Sequence, residues 1–194
     1  AIRDVYKRQL QDISIAFSFL VRDVVEMGRT PWSKVSEPDH DEAIIDAALE
    51  AAGVTHLQDR DITTLSGGER ARVALARILA QQTPIVFLDE PTAAMDIRFQ
   101  ERTMGTVRRL AEAGRTVIVV LHNLQAAATY CDNVVCLSRG KVEATGTVDE
   151  VYTDEILSRV YEWPIHVEKT PTGLFVHPEP EEWHGGSPLF TPST

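Results

Sequence analysis

The stretch TTLSGGERARVALARILAQQTPIVFLDEP, residues 63–91, carries the reading of the fold. Ser66 followed by Glu69 has the spacing of a capping box, which closes two amides at a helix start. Between them stand Gly67 and Gly68, each costing a helix up to ~1 kcal/mol against alanine. That cost makes sense where something must approach the helix start closely. The first turn presents free N–H groups and the positive end of the dipole, and glycine removes the side chains that would hold a phosphate away. On these residues alone, a capping box with incidental glycines is the alternative.

Beyond this helix the segment 85–88, IVFL, is a continuous apolar run, as expected of a parallel strand buried on both faces, and Pro91 stops it. A helix fits 97–113, closed by Gly114, and RTVIVVLH at 115–122 supplies a second apolar run. Strand, helix and strand make a βαβ unit with parallel strands. Its topology brings Asp89, Glu90 and His122 to the sheet edge where open α/β sheets bind ligands. Carboxylate oxygens suit Mg²⁺, and a second carboxylate beside the first can orient an attacking water. In isolation, Asp-Glu-Pro also reads as a strand end with solvated charge. His40, His56, His166, His177 and His184 have no partners at metal-ligand spacing and read as surface or packing residues.

Upstream, a helix over 21–27 ends at Gly28, with GRTPW as a turn. A second helix over 39–52 carries Asp39, Asp41 and Glu42 in its first turn and Gly53 as its stop. Downstream follow a short helix over 124–130, a hairpin turning near Arg139 and Gly140, a helix over 148–161, and a hairpin turning at 171–173. Residues 179–194, rich in proline, glycine and acid, read as a flexible tail. The opening AIRDVYKRQ, residues 1–9, reads as a truncation point or an assembly scar.

Composition narrows the function classes. The 194 residues carry a formal charge of −10, which argues against a nucleic-acid partner. No apolar run reaches the ~20 residues of a membrane-spanning helix. Two cysteines without CxxC spacing fit a reducing compartment.

The order of LSGGE, a helix, IVFLDEPTAAMD and a strand ending in LHN resembles the ATP-binding cassette ATPases, the engines of ABC transporters. The resemblance implies an α/β fold of the P-loop NTPase type, with a parallel-sheet core and a helical subdomain of about residues 21–82. The partial cassette spans 10–178. It implies ATP and Mg²⁺ as cofactors. Ser66, Gly67, Gly68 and Glu69 match the signature motif that contacts the γ-phosphate of ATP held by the opposite subunit, and Asp96 matches the loop that communicates between subunits. Asp89 matches the Walker B carboxylate that holds Mg²⁺ through water, Glu90 the catalytic carboxylate, and His122 the switch histidine. Gln11 matches the glutamine that senses Mg²⁺ and nucleotide, with Gln9 as second candidate.

FSFLVRDVVEMGRTPW, EPTAAMDIRFQE and LHNLQAAATYCDNVVCLSRGKVEATG look most like the ATPases of bacterial importers for haem, ferric siderophores and cobalamin, with haem favoured. The partners so implied are a second copy of the chain, integral membrane permease subunits and, indirectly, a substrate-binding protein. The place is the cytoplasmic face of the bacterial inner membrane. A soluble ABC-type ATPase of DNA repair or translation and a catalytically dead interaction module are the alternatives. No G-x-x-x-x-G-K-[ST] occurs in the sequence. The expectation is therefore a cassette lacking its N-terminal P-loop part, inactive by itself, with apolar surface open around Ile85 and Val117.

Overall fold

The computed structural model describes residues 18–33 and 37–181. The expectations for Gln9, Gln11, residues 1–9 and most of 179–194 lie outside the described residues. The chain divides between Leu121 and His122 into two compact units.

The first unit opens with α1 (Val21–Glu26), which continues as a 3-10 helix, Met27–Trp32. The α-helix thus ends within two residues of Gly28, where the pattern sets its end, and the following segment winds on as a 3-10 helix instead of a turn. Gly28 lets two backbones meet: a Cβ there would stand 2.4 Å from the Arg77 carbonyl oxygen. The neighbouring Arg29 is buried, paired with Asp41 at 2.8 Å and bonded to the Ala80 carbonyl at 2.8 Å. Helix α2 (Pro38–Ala52) starts on a proline and stops at Gly53 with φ 68°, the left-handed cap that glycine adopts without strain. Helix α3 (Gly67–Gln81) packs on α1 and α2 through a core that includes Val25, Ile45, Leu49, Val73 and Ala76.

Strand β1 (Ile85–Asp89), helix α4 (Ile97–Glu112) and strand β2 (Thr116–Val120) form the expected βαβ unit. The strands pair in parallel from Ile85 opposite Thr116 to Asp89 opposite Val120. Burial on both faces, however, is not what the described residues show. Val86, Leu88, Val117 and Val119 face a cluster with Leu75 and Val107, contributed by α3 and α4. Successive side chains of a strand point to opposite faces, and on the other face Ile85, Phe87, Ile118 and Val120 are 51%, 70%, 47% and 50% exposed. The apolar run correctly predicts a parallel strand, but among the described residues only one of its two faces is covered.

The second unit runs α5 (Leu124–Tyr130), β3 (Asn133–Ser138), β4 (Lys141–Thr147), α6 (Val148–Val151), α7 (Asp154–Tyr161), β5 (Ile165–Thr170) and β6 (Gly173–Pro178). Both hairpins are antiparallel. Arg139 and Gly140 turn the first at φ 50° and 77°, the positive pair that a two-residue hairpin turn requires. The single helix expected over 148–161 is two helices. Thr147 caps α6 in a capping box with Glu150, and Thr153 restarts the chain by accepting from the Ile156 N–H. A threonine that caps competes with helix continuation. The unit's core holds Val151, Tyr152, Leu157, Ile165 and Val176.

Candidate functional site: a signature cleft

Ser66 caps α3 as its spacing predicts. Its Oγ accepts from the Glu69 N–H at 3.3 Å, while the Glu69 carboxylate accepts from the Ser66 N–H at 2.8 Å and from the Ser66 hydroxyl at 2.7 Å. The backbone bond from Ser66, then the hydroxyl bond, hold the Glu69 carboxyl below its usual range.

The two glycines have different jobs. A Cβ on Gly68 would stand 3.0 Å from the Ala94 carbonyl oxygen, so Gly68 lets the loop after β1 lie against the start of α3. For Gly67 the nearest atom is the Ala94 Cβ, 4.0 Å away, so its missing side chain leaves space beside the helix start. The loop itself is strained. Glu90 and Ala94 take φ of 46° and 60°, left-handed values that non-glycine residues adopt at a cost of about 1–3 kcal/mol each. Backbone bonds hold it there, from Glu90 N–H to the Val120 carbonyl at 3.1 Å and from Ala93 N–H to the Glu90 carbonyl at 3.1 Å. Strain of this kind collects where a backbone must present groups to a ligand.

The loop ends at Asp96, whose carboxylate caps α4 by accepting from the Phe99 N–H at 3.0 Å. Ser66, Gly67, Gly68, Glu69 and Asp96 thus line one open cleft of about 400 Å³, together with Arg72, Ala94, Met95 and Phe99. Residues 22 or more positions apart in sequence meet there because β1 returns the chain past the start of α3.

Arg72 is the member the sequence reading missed. It is buried, and its guanidinium lies 3.7 Å from the centre of the Phe99 ring. Burial lowers its pKa, opposed by the charges of Glu69 and Asp96. One turn beyond Glu69 on the same helix face, its position gives a usable signal. It supplies positive charge beside two carboxylates and a row of free helix amides.

Asp89 and Glu90 stand exposed at the end of β1, outside the lining of this cleft. His122 opens the second unit, just ahead of Asn123, which caps α5 by accepting from the Ala126 N–H at 3.0 Å. Gln11 lies outside the described residues.

The ABC transporter family model matches residues 3–93. A hemin import ATP-binding protein, HmuV, of Nocardia farcinica is 49% identical over 161 residues, 83% of this chain and 56% of its own length. The HmuV of Plesiomonas shigelloides is 38% identical over 192 residues, with 90% of this chain and 70% of the relative covered. A cobalamin import ATP-binding protein, BtuD, of Halobacterium salinarum is 43% identical, with 83% of this chain and 41% of the relative covered. The chain thus spans between 41% and 70% of the length of these curated relatives, 56% for the Nocardia protein.

Among solved structures, an inward-facing metal-chelate type ABC transporter superposes with a TM-score of 0.74 at 26% identity, covering 88% of this chain and 70% of its own. A dimeric ATP-binding cassette in a post-hydrolysis state with ADP and Pi gives 0.63 at 26%, covering 73% and 60%. The parallel βαβ unit with its capped glycine helix is therefore the fold of an ABC ATPase cassette, of P-loop NTPase architecture. The chain belongs to the ABC transporter family of ATP-binding proteins.

Proposed function

We propose that this chain is part of the ATP-hydrolysing subunit of a bacterial ABC importer for haem or another iron complex, acting as a homodimer beneath a membrane permease. The observation that carries the reading is the cleft. Four residues of the signature motif and Asp96 converge on a helix start that Gly67 leaves open. Names of relatives at 38–49% identity support the cargo class and, through the cobalamin importer, mark its breadth.

The donor set fits the expected ligands. Free amides and the dipole of a 15-residue helix suit a phosphate, and exposed carboxylate oxygens at a strand end suit a hard cation. In this reading the Gly67 and Gly68 amides donate to the terminal phosphate of a nucleotide held by the second copy, and the Ser66 hydroxyl turns from the Glu69 carboxylate to donate to it as well. Asp89 holds Mg²⁺ through water, Glu90 accepts the proton of the attacking water, and His122 donates to the γ-phosphate. Gln11 joins this set, and Asp96 carries the state of one site to the other. Magnesium, when bound, neutralises phosphate charge as it develops. Nucleotide binding drives dimerisation and hydrolysis releases it. The partial cassette of residues 10–178, its helical subdomain of about 21–82, the substrate-binding protein behind the permease, and the place on the cytoplasmic face belong to the same proposal.

Two preparations test it: the 194-residue chain, and the open reading frame that contains it. With Mg²⁺ and ATP, the longer protein turns over and Glu90→Gln lowers turnover at least 100-fold, while the 194-residue chain alone shows none. Full turnover in the Glu90→Gln protein overturns the catalytic assignment. In vesicles with the permease, haem-loaded binding protein stimulates turnover; stimulation by cobalamin alone overturns the cargo.

A further inference from the structure

We propose that His166 and His177 form a two-imidazole site for a divalent transition-metal ion of the zinc, nickel or copper class. Eleven residues apart in sequence, they stand directly opposite one another across the β5–β6 hairpin. Their ring centres are 5.4 Å apart with planes inclined by 44°. With metal–nitrogen bonds of about 2.0–2.1 Å, two imidazoles on one tetrahedral ion have ring centres roughly 5 Å apart. The pair already has that separation.

Each ring has a carboxylate beside it, and that of His166 is hydrogen-bonded. His166 Nδ1 lies 3.2 Å from Asp154 Oδ2, and His177 Nε2 lies 3.5 Å from Glu168 Oε1. The Asp154 carboxylate only accepts, so its hydrogen bond places a ring hydrogen on His166 Nδ1. In the neutral ring, the lone pair of His166 then falls on Nε2. Carboxylates holding the far nitrogens are the outer shell that histidine ligands of metals use. Asp154 is itself anchored, accepting from the Val167 N–H at 2.9 Å. Both rings keep access to solvent, with side chains 46% and 37% exposed.

No group of three or more metal-ligating side chains gathers among the described residues. Two protein ligands with water in the remaining positions make the ion exchangeable. Imidazole nitrogen selects zinc, nickel and copper over magnesium and calcium. The hairpin also holds the helix that follows His122: the Gln125 side chain accepts from the Val176 N–H at 3.0 Å and donates to the Leu174 carbonyl at 2.8 Å. An ion bridging β5 and β6 therefore stiffens the strand on which α5 is docked.

The test is calorimetric titration of the metal-free 194-residue chain with Zn²⁺, Ni²⁺ and Mg²⁺. One equivalent of Zn²⁺ or Ni²⁺ binds and Mg²⁺ does not. His166→Ala and His177→Ala each weaken binding at least 10-fold, whereas His184→Ala and His40→Ala leave it unchanged. Asp154→Asn weakens it by about 10-fold through loss of ring orientation. Circular dichroism checks that the variants stay folded, and Cu²⁺ broadening of amide NMR signals confined to β5 and β6 places the ion independently. Undiminished affinity in the His166 and His177 variants, or loss only with His184→Ala, overturns the proposal.

Discussion

Gly67 and Gly68 look alike in the sequence and differ in the structure, and substitution separates them. Gly67→Ala adds a methyl where 4.0 Å separates it from the nearest neighbour, so the helix keeps or slightly gains stability. On the proposed function, the expected result is an unchanged or raised Tm with ATP turnover of the longer protein reduced at least 10-fold, because the methyl would occupy the space proposed for the phosphate. Gly68→Ala meets a carbonyl oxygen at 3.0 Å, so both Tm and turnover fall. Ser66→Ala removes the cap and costs about 1 kcal/mol in urea unfolding. The box also carries a pH dependence of known sign. Glu69 has its folded pKa lowered by the bonds from Ser66, so its contribution is complete at neutral pH. It fades as pH falls from the ordinary glutamate value of ~4.3 through the lower folded value. Acid unfolding curves of Ser66→Ala therefore lie closer to wild type at pH 3 than at pH 7.

At the scale of elements, the cleft depends on how α3 meets the start of α4. Arg72 reaches from one helix to the ring of Phe99 on the other, a stack worth about 0.5–2 kcal/mol. Phe99→Ala should lower stability by about that amount plus the packing of a half-buried ring, and Phe99→Leu should recover the packing but not the stack. Unfolding of the two variants, alone and combined with Arg72→Met, measures the coupling as a double-mutant cycle. The elements themselves were largely legible. A capping box, a glycine stop and two apolar runs place α2, α3, β1, α4 and β2 because local capping and hydrophobic periodicity act over one or two turns. The pattern went astray where a local device broke a longer one. Thr153 restarts the chain within an otherwise helical run, and the GRTPW segment winds on as a 3-10 helix because Gly28 packs its backbone against that of Arg77.

At the scale of the whole molecule, the sheet presents Ile85, Phe87, Ile118 and Val120 on one open face. Apolar patches of this kind bind dye and associate. The 194-residue chain is expected to bind a hydrophobic dye and to scatter light increasingly with concentration. Phe87→Glu should reduce both, and the same change in the longer protein should instead lower stability. Equal dye binding by chain and longer protein would show that the face stays open in both.

The identity of the chain was legible without coordinates. The motif order from LSGGE through FLDEP to LHN depends on residue type and spacing, and these are properties of the linear chain. The roles of the two glycines, the burial of Arg72 over Phe99 and the meeting of His166 with His177 were not. Each depends on which distant segment lies across from a residue, through strand register in the hairpin and helix packing around the cleft. Side chains that are ordinary in sequence acquire chemistry there only when the fold brings their partners within a few ångströms.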